Sequence, residues 1–164
     1  MHVVASPIGS GPEAVTYRSI VVGTDGSATA ERAVAQAGAL AAADGARLVI
    51  VTAYTPGAGG VHDVDPDTVP SDIRYVLTDR VQAEELGAHG RQVAKTAGAG
   101  QVIVQAVAGD PAEVLLAAAK EFDAELIVVG SRGLSSHAHF ILGSVAGSVA
   151  HHAPCDVLVA HTTD

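Results

Sequence analysis

The chain has 164 residues, of which 48% are hydrophobic and 16% charged, a composition typical of one globular domain and not of a disordered chain. Its formal net charge of −9 argues against broad nucleic-acid binding, which requires a surface rich in Lys and Arg. No segment approaches the roughly 20 apolar residues of a membrane-spanning helix, so we expect neither nucleic acid nor a membrane as a partner.

The first 16 residues lack the basic start and sustained apolar run of a signal peptide, and their Pro, Gly and Ser content favours a flexible tail. The single cysteine, Cys155, cannot form an internal disulfide and suits a reducing compartment. It leads into an apolar stretch, which favours a buried small side chain over a reactive thiol. We therefore expect a cytoplasmic protein with one folded domain over residues 17–164.

Five short runs rich in β-branched residues predict β-strands. They lack strict alternation of polar and apolar residues, as do strands that are covered on both faces. The predicted strands are Ser19–Thr24, Arg47–Tyr54, Gln101–Val107, Leu126–Gly130 and Asp156–His161.

Helical patterns lie between the strands. Alanines and Val34 recur at helical spacing over Ala30–Ala41, with Ser27 as the N-cap. The run Asp110-Pro111-Ala112-Glu113 combines an N-cap, a proline at the first helical position and a glutamate placed for a capping box.

Two further helices are predicted, over residues 73–97 and 144–151. The first contains Gly87 and Gly90, each of which costs about 1 kcal/mol relative to Ala in a helix interior. The second ends before Pro154, which cannot continue a helix.

Strands alternating with helices in the order β1-α1-β2-α2-β3-α3-β4-α4-β5 predict a three-layer α/β/α fold. Its centre would be a five-stranded parallel sheet of the Rossmann-like type. The one long connection, residues 55–72, is rich in Gly, Pro and Asp, and loops of that length are usually functional or mobile.

In open parallel sheets, ligands bind beyond the carboxyl ends of the strands, where the strand order reverses. Glycine lets the backbone approach a ligand, and a helix N-terminus supplies unpaired N–H groups that bind phosphate. Three segments fit such a site: Gly23-Thr24-Asp25-Gly26-Ser27, Gly130-Ser131-Arg132-Gly133 and Gly143-Ser144-Val145-Ala146. The Asp25 carboxylate would accept hydrogen bonds from a ribose or an adenine amino group.

Each segment also has an ordinary explanation, because glycines end strands and Asp-Gly-Ser is a common turn. The chain has no P-loop lysine, and Arg132, the one cation in the motif, either reaches a phosphate or is solvated. No G-x-S-x-G elbow occurs, so Ser144 fits a cap or a phosphate donor better than a nucleophile. We predict no catalytic residue.

The sequence contains eight histidines, and four of them in particular raise the question of a metal site. No cysteine or carboxylate joins them at ligand spacing, so we expect structural or surface roles and no metal. They are His137, His139, His151 and His152.

The full spacing Gly130-x2-Gly133-x9-Gly143-Ser144 resembles the nucleotide-binding signature of the universal stress protein family. Three stretches are also similar to characteristic stretches of that family, in the same order, and the resemblance extends from Tyr17 to the C-terminus. These stretches are Ser19–Ser27 (SIVVGTDGS), Leu126–Gly133 (LIVVGSRG) and His152–Val159 (HAPCDVLV).

The resemblance implies the adenine nucleotide alpha hydrolase-like fold and a bound adenine nucleotide. Asp25 would lie near the ribose and adenine, and the backbone of Ala53 would contact the adenine. The residues matching the base and ribose contacts are Val129 and Gly130; those matching the phosphate contacts are Gly133, Gly143, Ser144 and Val145. Gly23 departs from the family pattern, in which proline or another residue is common.

The chain is also similar to short actinobacterial members, some of which prefer cyclic AMP to ATP, in Gly133–Ser135, Gly143–Val145 and the ending His161–Thr163. The ligand expected is therefore ATP, with Mg possible, or cyclic AMP, in a regulatory protein that senses or sequesters it during stress. A weak ATPase or autophosphorylating phosphotransferase, and a nucleotide-free scaffold, remain alternatives. The family resemblance further implies a homodimer paired through the edge strand 156–161.

Overall fold

The computed structural model describes residues 14–57, 71–131 and 142–161, with only the backbone described for residues 71–78. Strands and helices alternate along the chain in the predicted order. They are β1 (Ser19–Gly23), α1 (Ala28–Asp44), β2 (Arg47–Tyr54), α2 (Ser71–Thr96), β3 (Gln101–Ala108), α3 (Pro111–Glu121), β4 (Leu126–Gly130), α4 (Ser144–His152) and β5 (Asp156–Ala160).

The ends of several elements differ from the predicted ends by one or two residues. Both the first and the last strand are one residue shorter than predicted, whereas β3 and α4 are each one residue longer. Although β1 ends at Gly23, the Thr24 N–H still donates to the Val51 carbonyl at 3.0 Å, so the ladder continues past the strand. Such differences are ordinary because the last residues of an element have few hydrogen bonds to fix them.

All five strands are parallel and lie in the order β3-β2-β1-β4-β5. The chain therefore builds the sheet outward from β1 in one direction, through β2 and β3, and then in the other, through β4 and β5. The reversal lies between β1 and β4, and the two edges of the sheet are β3 and β5.

Each face of the sheet is covered by two helices, which gives the predicted α/β/α layers. Alternate strand residues pack on opposite faces: Ile20 and Ile50 lie beneath α1 and α2, whereas Val21 and Val49 lie beneath α3 and α4. All four side chains are fully buried. Burial on both faces explains why the strand sequences are apolar without alternation.

Two glycines lie inside the continuous helix α2. A Cβ at Gly87 would collide with Val104 Cγ1, and one at Gly90 would lie 3.3 Å from Ile50 Cγ2. The glycines thus let α2 approach β2 and β3 closely, and this packing offsets their poor helix propensity. Within the residues that the structure describes, neither α2 nor any other helix is long and apolar enough to cross a membrane.

Polar contacts connect the amino-terminal ends of the strands, at the opposite end from the carboxyl ends of β1 and β4. Arg18 donates to both Glu125 carboxylate oxygens, from its backbone N–H at 2.7 Å and from its guanidinium at 2.7 and 3.0 Å. Arg47 donates to the Phe122 carbonyl at 2.6 Å and to the Ser19 hydroxyl at 3.1 Å. These contacts join the starts of β1 and β2 to the segment that precedes β4.

Candidate functional site

The carboxyl ends of β1 and β4 lie side by side where the strand order reverses. Val22 of β1 pairs with Val128 of β4, so Gly23 and Gly130 follow within two residues of that pair. Helix α1 begins just after β1, and α4 begins beside the end of β4. The positive ends of two helix dipoles therefore lie at this edge of the sheet, an arrangement that favours an anionic ligand.

The turn between β1 and α1 is held by side chains that accept backbone hydrogen bonds. The Ser27 N–H donates to Asp25 Oδ1 at 2.9 Å, and the Gly26 N–H donates to Thr24 Oγ1 at 3.3 Å. Gly26 has a φ of +78°, and a Cβ there would lie 2.6 Å from Leu86 Cδ2, so glycine is required. The turn fixes the half-buried Asp25 at the point where the strand order reverses.

Gly23, which departs from the family pattern, lies beneath α3. A Cβ at this position would come within 3.0 Å of Leu115 Cδ1 and 3.2 Å of Leu115 Cδ2. Leu115, a buried core residue, therefore takes the space that a larger side chain at this position would need.

Gly130 lets the end of β4 lie directly against the first turn of α1. A Cβ at Gly130 would lie 2.7 Å from Thr29 Cγ2 and 3.2 Å from the Thr29 carbonyl carbon and oxygen. A backbone neighbour cannot turn away as a side chain can, so any larger residue at this position would push α1 from β4.

The two halves of the glycine motif meet at Ser131. The Ser131 N–H donates to the Ala160 carbonyl at 2.8 Å, which extends the pairing of β4 with β5. The Ser131 carbonyl accepts from the Gly143 N–H at 2.9 Å, which brings the start of α4 to the end of β4. Predicted residues on either side of the segment 132–141 are therefore neighbours.

The N-cap of α4 is Gly143, which has no side chain to cap the first turn of the helix. Ser144 is exposed and Val145 is half-buried, and the N–H groups of this turn are those that a helix leaves without partners in its own hydrogen-bond ladder. An anion seated here would meet backbone donors and the Ser144 hydroxyl.

Four of the predicted residues are buried, which limits how each could contact a ligand. Val129 and Ala146 belong to the core beneath α3 and α4, and Thr24 and Ser131 are 9% and 4% exposed. These residues shape the site or contact a ligand through the backbone. Arg132 and Gly133 lie outside the described residues.

Ala53 is half-buried near the end of β2, and a residue that the sequence analysis missed holds the chain just beyond it. The Asp79 carboxylate of α2 is 6% exposed and accepts the Gly57 N–H at 2.5 Å. Asp79 lies four residues before buried Ala83, on the stripe that continues to Gly87. An acidic residue on a buried helical stripe requires a polar partner, and that signal could have revealed it.

The C-terminal histidines behave as surface residues. His151 and His152 are exposed at the end of α4, with ring centroids 4.8 Å apart, and His152 Nδ1 lies 2.9 Å from the Ser148 carbonyl. Over residues 14–57, 71–131 and 142–161, no group of three or more His, Cys, Asp or Glu side chains could hold a metal ion. His137 and His139 lie outside these ranges.

The model of the universal stress protein family matches residues 16–161. The chain belongs to this family. A universal stress protein of Mycobacterium tuberculosis H37Rv is 39% identical over 147 residues, which cover 90% of this chain and 98% of the relative. The match includes the carboxyl ends of β1 and β4 and the start of α4. The glycine motif therefore lies in a chain that is similar to a universal stress protein over almost its whole length.

Two solved structures of universal stress proteins contain nucleotides. One, in complex with cAMP, is 37% identical with a TM-score of 0.70 and covers 91% of this chain and 100% of the other. Another, from Archaeoglobus fulgidus in complex with dAMP, is 26% identical with a TM-score of 0.62, over 88% of this chain and 98% of the other. This universal stress protein therefore has the fold in which those relatives hold an adenine nucleotide.

Proposed function

We propose that this chain binds an adenine nucleotide, ATP or cyclic AMP, between the carboxyl ends of β1 and β4. It would act as a regulatory protein that senses or sequesters the nucleotide during stress. The observation that carries the proposal is the convergence of Asp25, Gly130 and the uncapped start of α4 at the reversal of strand order. The complexes of related proteins with cAMP and dAMP support the same ligand class.

The nucleoside would lie across β1 and β2. Asp25 is half-buried, and the hydrogen bond from the Ser27 N–H holds its carboxylate where it could accept a ribose hydroxyl or an adenine amino group. The backbone of Ala53 and of Val129 would contact the base, because the Val129 side chain is in the core. The backbone of Gly130 would contact the ribose.

The phosphates would lie at the start of α4, bound by Gly133, Gly143, Ser144 and Val145. Backbone N–H groups and the Ser144 hydroxyl supply the donors, and the helix dipole favours the negative charge. A cyclic monophosphate needs fewer donors than a triphosphate, and Mg would accompany only ATP. Two alternatives stay open for Arg132: its guanidinium would contact a phosphate, or it would be solvated.

Replacing Asp25 with Asn tests the site without removing its turn, because the Asn oxygen can still accept the Ser27 N–H. Losing a hydrogen bond to a charged group costs about 1.5–3 kcal/mol, so we expect Asp25→Asn to weaken binding about tenfold to a hundredfold. Calorimetric titration with ATP and cyclic AMP, with and without Mg, measures the affinity.

Asp123→Asn is the matched control for this titration. Asp123 is exposed, lies between α3 and β4 at the amino-terminal end of the strand, and has a φ of 47°, which Asn tolerates. Asp123→Asn should bind each nucleotide with the same affinity as the unmodified chain. Absence of binding below millimolar concentration would contradict the proposal and favour the scaffold. ADP or phosphoprotein that accumulates with ATP, and not with Asp25→Asn, would favour the weak enzyme.

We further propose a cytoplasmic homodimer that pairs through β5. Asp156 donates its N–H toward β4 at 3.3 Å from the Glu125 carbonyl, so the next residue, Val157, and then Val159 direct their backbone groups to the open edge. Pairing with a second copy would satisfy these groups and cover the edge.

A further inference from the structure

The β3 edge of the sheet, opposite the β5 edge, has an open groove between β3 and α3. Helix α3 packs across β1 and β2, which leaves the adjoining face of β3 partly uncovered, and residues 102–107 are all half-exposed. The groove has a volume of about 280 Å³. The groove lies two strands away from the reversal of strand order between β1 and β4, and none of the proposed nucleotide-binding residues lines it.

The floor of this β3–α3 groove is apolar. Val107 contributes from the strand, and Val114, Ala117 and Ala118 contribute from one stripe of the helix. Ala117 is exposed, although its neighbours Val114 and Ala118 are buried. The groove therefore offers apolar surface that no described part of the chain covers.

The rim of the groove is acidic. Asp110, Glu113 and Glu121 follow the same helical stripe as the floor, and Gln105 donates to Glu121 Oε1 at 3.4 Å. None of the described residues that line the groove is Lys or Arg. A partner that buries the floor must therefore bring positive charge to this rim.

Strand β3 also offers backbone hydrogen bonds. Within the described residues it pairs only with β2, and the Gly109 N–H donates to the Tyr54 carbonyl at 3.0 Å. Alternate residues of a strand direct their backbone groups to opposite sides, so Val104 and Ala106 direct theirs to the open edge. An extended peptide can add to such an edge as a further strand.

Size and charge select the occupant. The volume lies at the lower limit of the roughly 300–1,000 Å³ of pockets for small ligands, and the groove runs beside an open strand edge, which favours side chains of an extended segment. A second copy paired through β3 would bring two acidic rims together, which is unfavourable. Residues 1–13 contain no Lys or Arg, so this segment cannot complement the rim.

We propose that the β3–α3 groove binds an extended basic segment of a partner protein, which pairs with β3 as an added strand. Lys or Arg side chains of the segment lie against Glu113 and Glu121, and a small apolar side chain between them covers Ala117. One domain would then bind a nucleotide at the carboxyl ends of β1 and β4 and a basic peptide segment in the β3–α3 groove.

The probe is a fluorescein-labelled heptapeptide with the sequence Thr-Lys-Thr-Ala-Thr-Lys-Thr, because an extended strand projects its two Lys and the Ala between them from one face. Fluorescence anisotropy measures its affinity. Partly exposed ion pairs are weak, so Glu113→Gln with Glu121→Gln should weaken binding about fivefold to tenfold. The matched control is Glu84→Gln with Glu85→Gln, which makes the same charge change on exposed residues of α2 and should leave the affinity unchanged.

N-methylation of the peptide tests strand pairing without altering the protein. Methyl groups at one set of alternate residues should abolish binding, because they remove the N–H groups that face β3, whereas the other set should bind. Equal weakening in both Gln pairs, equal binding of both methylated peptides, or no binding below millimolar concentration would overturn the proposal. Nucleotide affinity should be the same in both Gln pairs, so failure of either site is distinguishable.

Discussion

At the scale of single residues, the clearest electrostatic effect is at Glu125. The hydrogen bonds from the Arg18 side chain, and then from its backbone, lower the pKa of the Glu125 carboxyl below its usual 4.5. A carboxyl whose pKa is lowered by folding stabilises the fold above its usual pKa, and this contribution is lost as the pH falls through the folded value. The Arg18 side chain is 89% exposed, so solvent and salt weaken the effect.

Arg18→Ala should therefore raise the pKa of Glu125 toward 4.5, while the backbone N–H of residue 18 keeps part of the shift. The chain should also become less sensitive to acid between the lowered pKa and 4.5. Carboxyl titration by NMR measures the pKa directly. Arg80→Ala, which removes an exposed ion pair within α2, is the control and should leave it unchanged. A Glu125 pKa that does not rise in Arg18→Ala would contradict this account.

Cys155 shows how a residue prediction depends on burial. Cys155 is half-buried at the margin of the core and not fully buried as predicted. Desolvation, with a smaller effect of the Asp156 carboxylate, raises the pKa of the thiol, which is consistent with the expected unreactive thiol. The N-caps Ser27 and Asp110 were also predictable, and both accept the expected backbone hydrogen bonds. Local contacts of this kind follow from sequence spacing alone.

The contacts of Thr29 with Gly130 and of Asp79 with Gly57 were not predictable in the same way. Each joins residues that are far apart in the chain and meet only when the sheet is assembled. The sequence thus indicates which glycines shape the site, but the neighbours that make them necessary come from the packing of helices on strands.

At the scale of elements, glycines in two helices have opposite roles. Gly87 of α2 lies against Val104, whereas a Cβ at Gly147 of α4 would have no atom of the described residues within 4 Å. Alanine is the better helix former at both positions, so packing alone decides the sign of the effect.

Gly87→Ala should destabilise the fold by about 1–3 kcal/mol, because the new methyl group collides with Val104. Gly147→Ala should stabilise it by about 0.5–1 kcal/mol, because the methyl group enters open space. Urea unfolding of both variants gives the two free energies. If Gly147→Ala lost as much stability as Gly87→Ala, packing against Val104 would not explain the difference between the two positions.

At the scale of the whole molecule, the proposed dimer gives a direct test at β5. Val159→Pro removes an N–H that faces the open edge and leaves the pairing of Asp156 with Glu125 in place. Proline is tolerated on edge strands, so the variant should fold and sediment as a monomer, while the unmodified chain sediments as a dimer. An unmodified chain that is monomeric at micromolar concentration would contradict the dimer.

The three layers and the parallel sheet were predictable because doubly covered strands have continuous apolar runs and alternate with helices. The order β3-β2-β1-β4-β5 does not follow from those runs, because a strand's own sequence does not identify its neighbour. That order places β1 beside β4, and so it brings Asp25 and Gly130 to neighbouring strand ends.

The hydrogen bond from Gly143 to the Ser131 carbonyl has a consequence for how the protein can diverge. It ties both ends of the intervening stretch to the sheet and to α4, so their separation does not depend on what lies between them. Substitutions between the two anchors should therefore leave the start of α4 beside the end of β4. The length of the stretch is a separate constraint, because the spacing from Gly133 to Gly143 is part of the family signature.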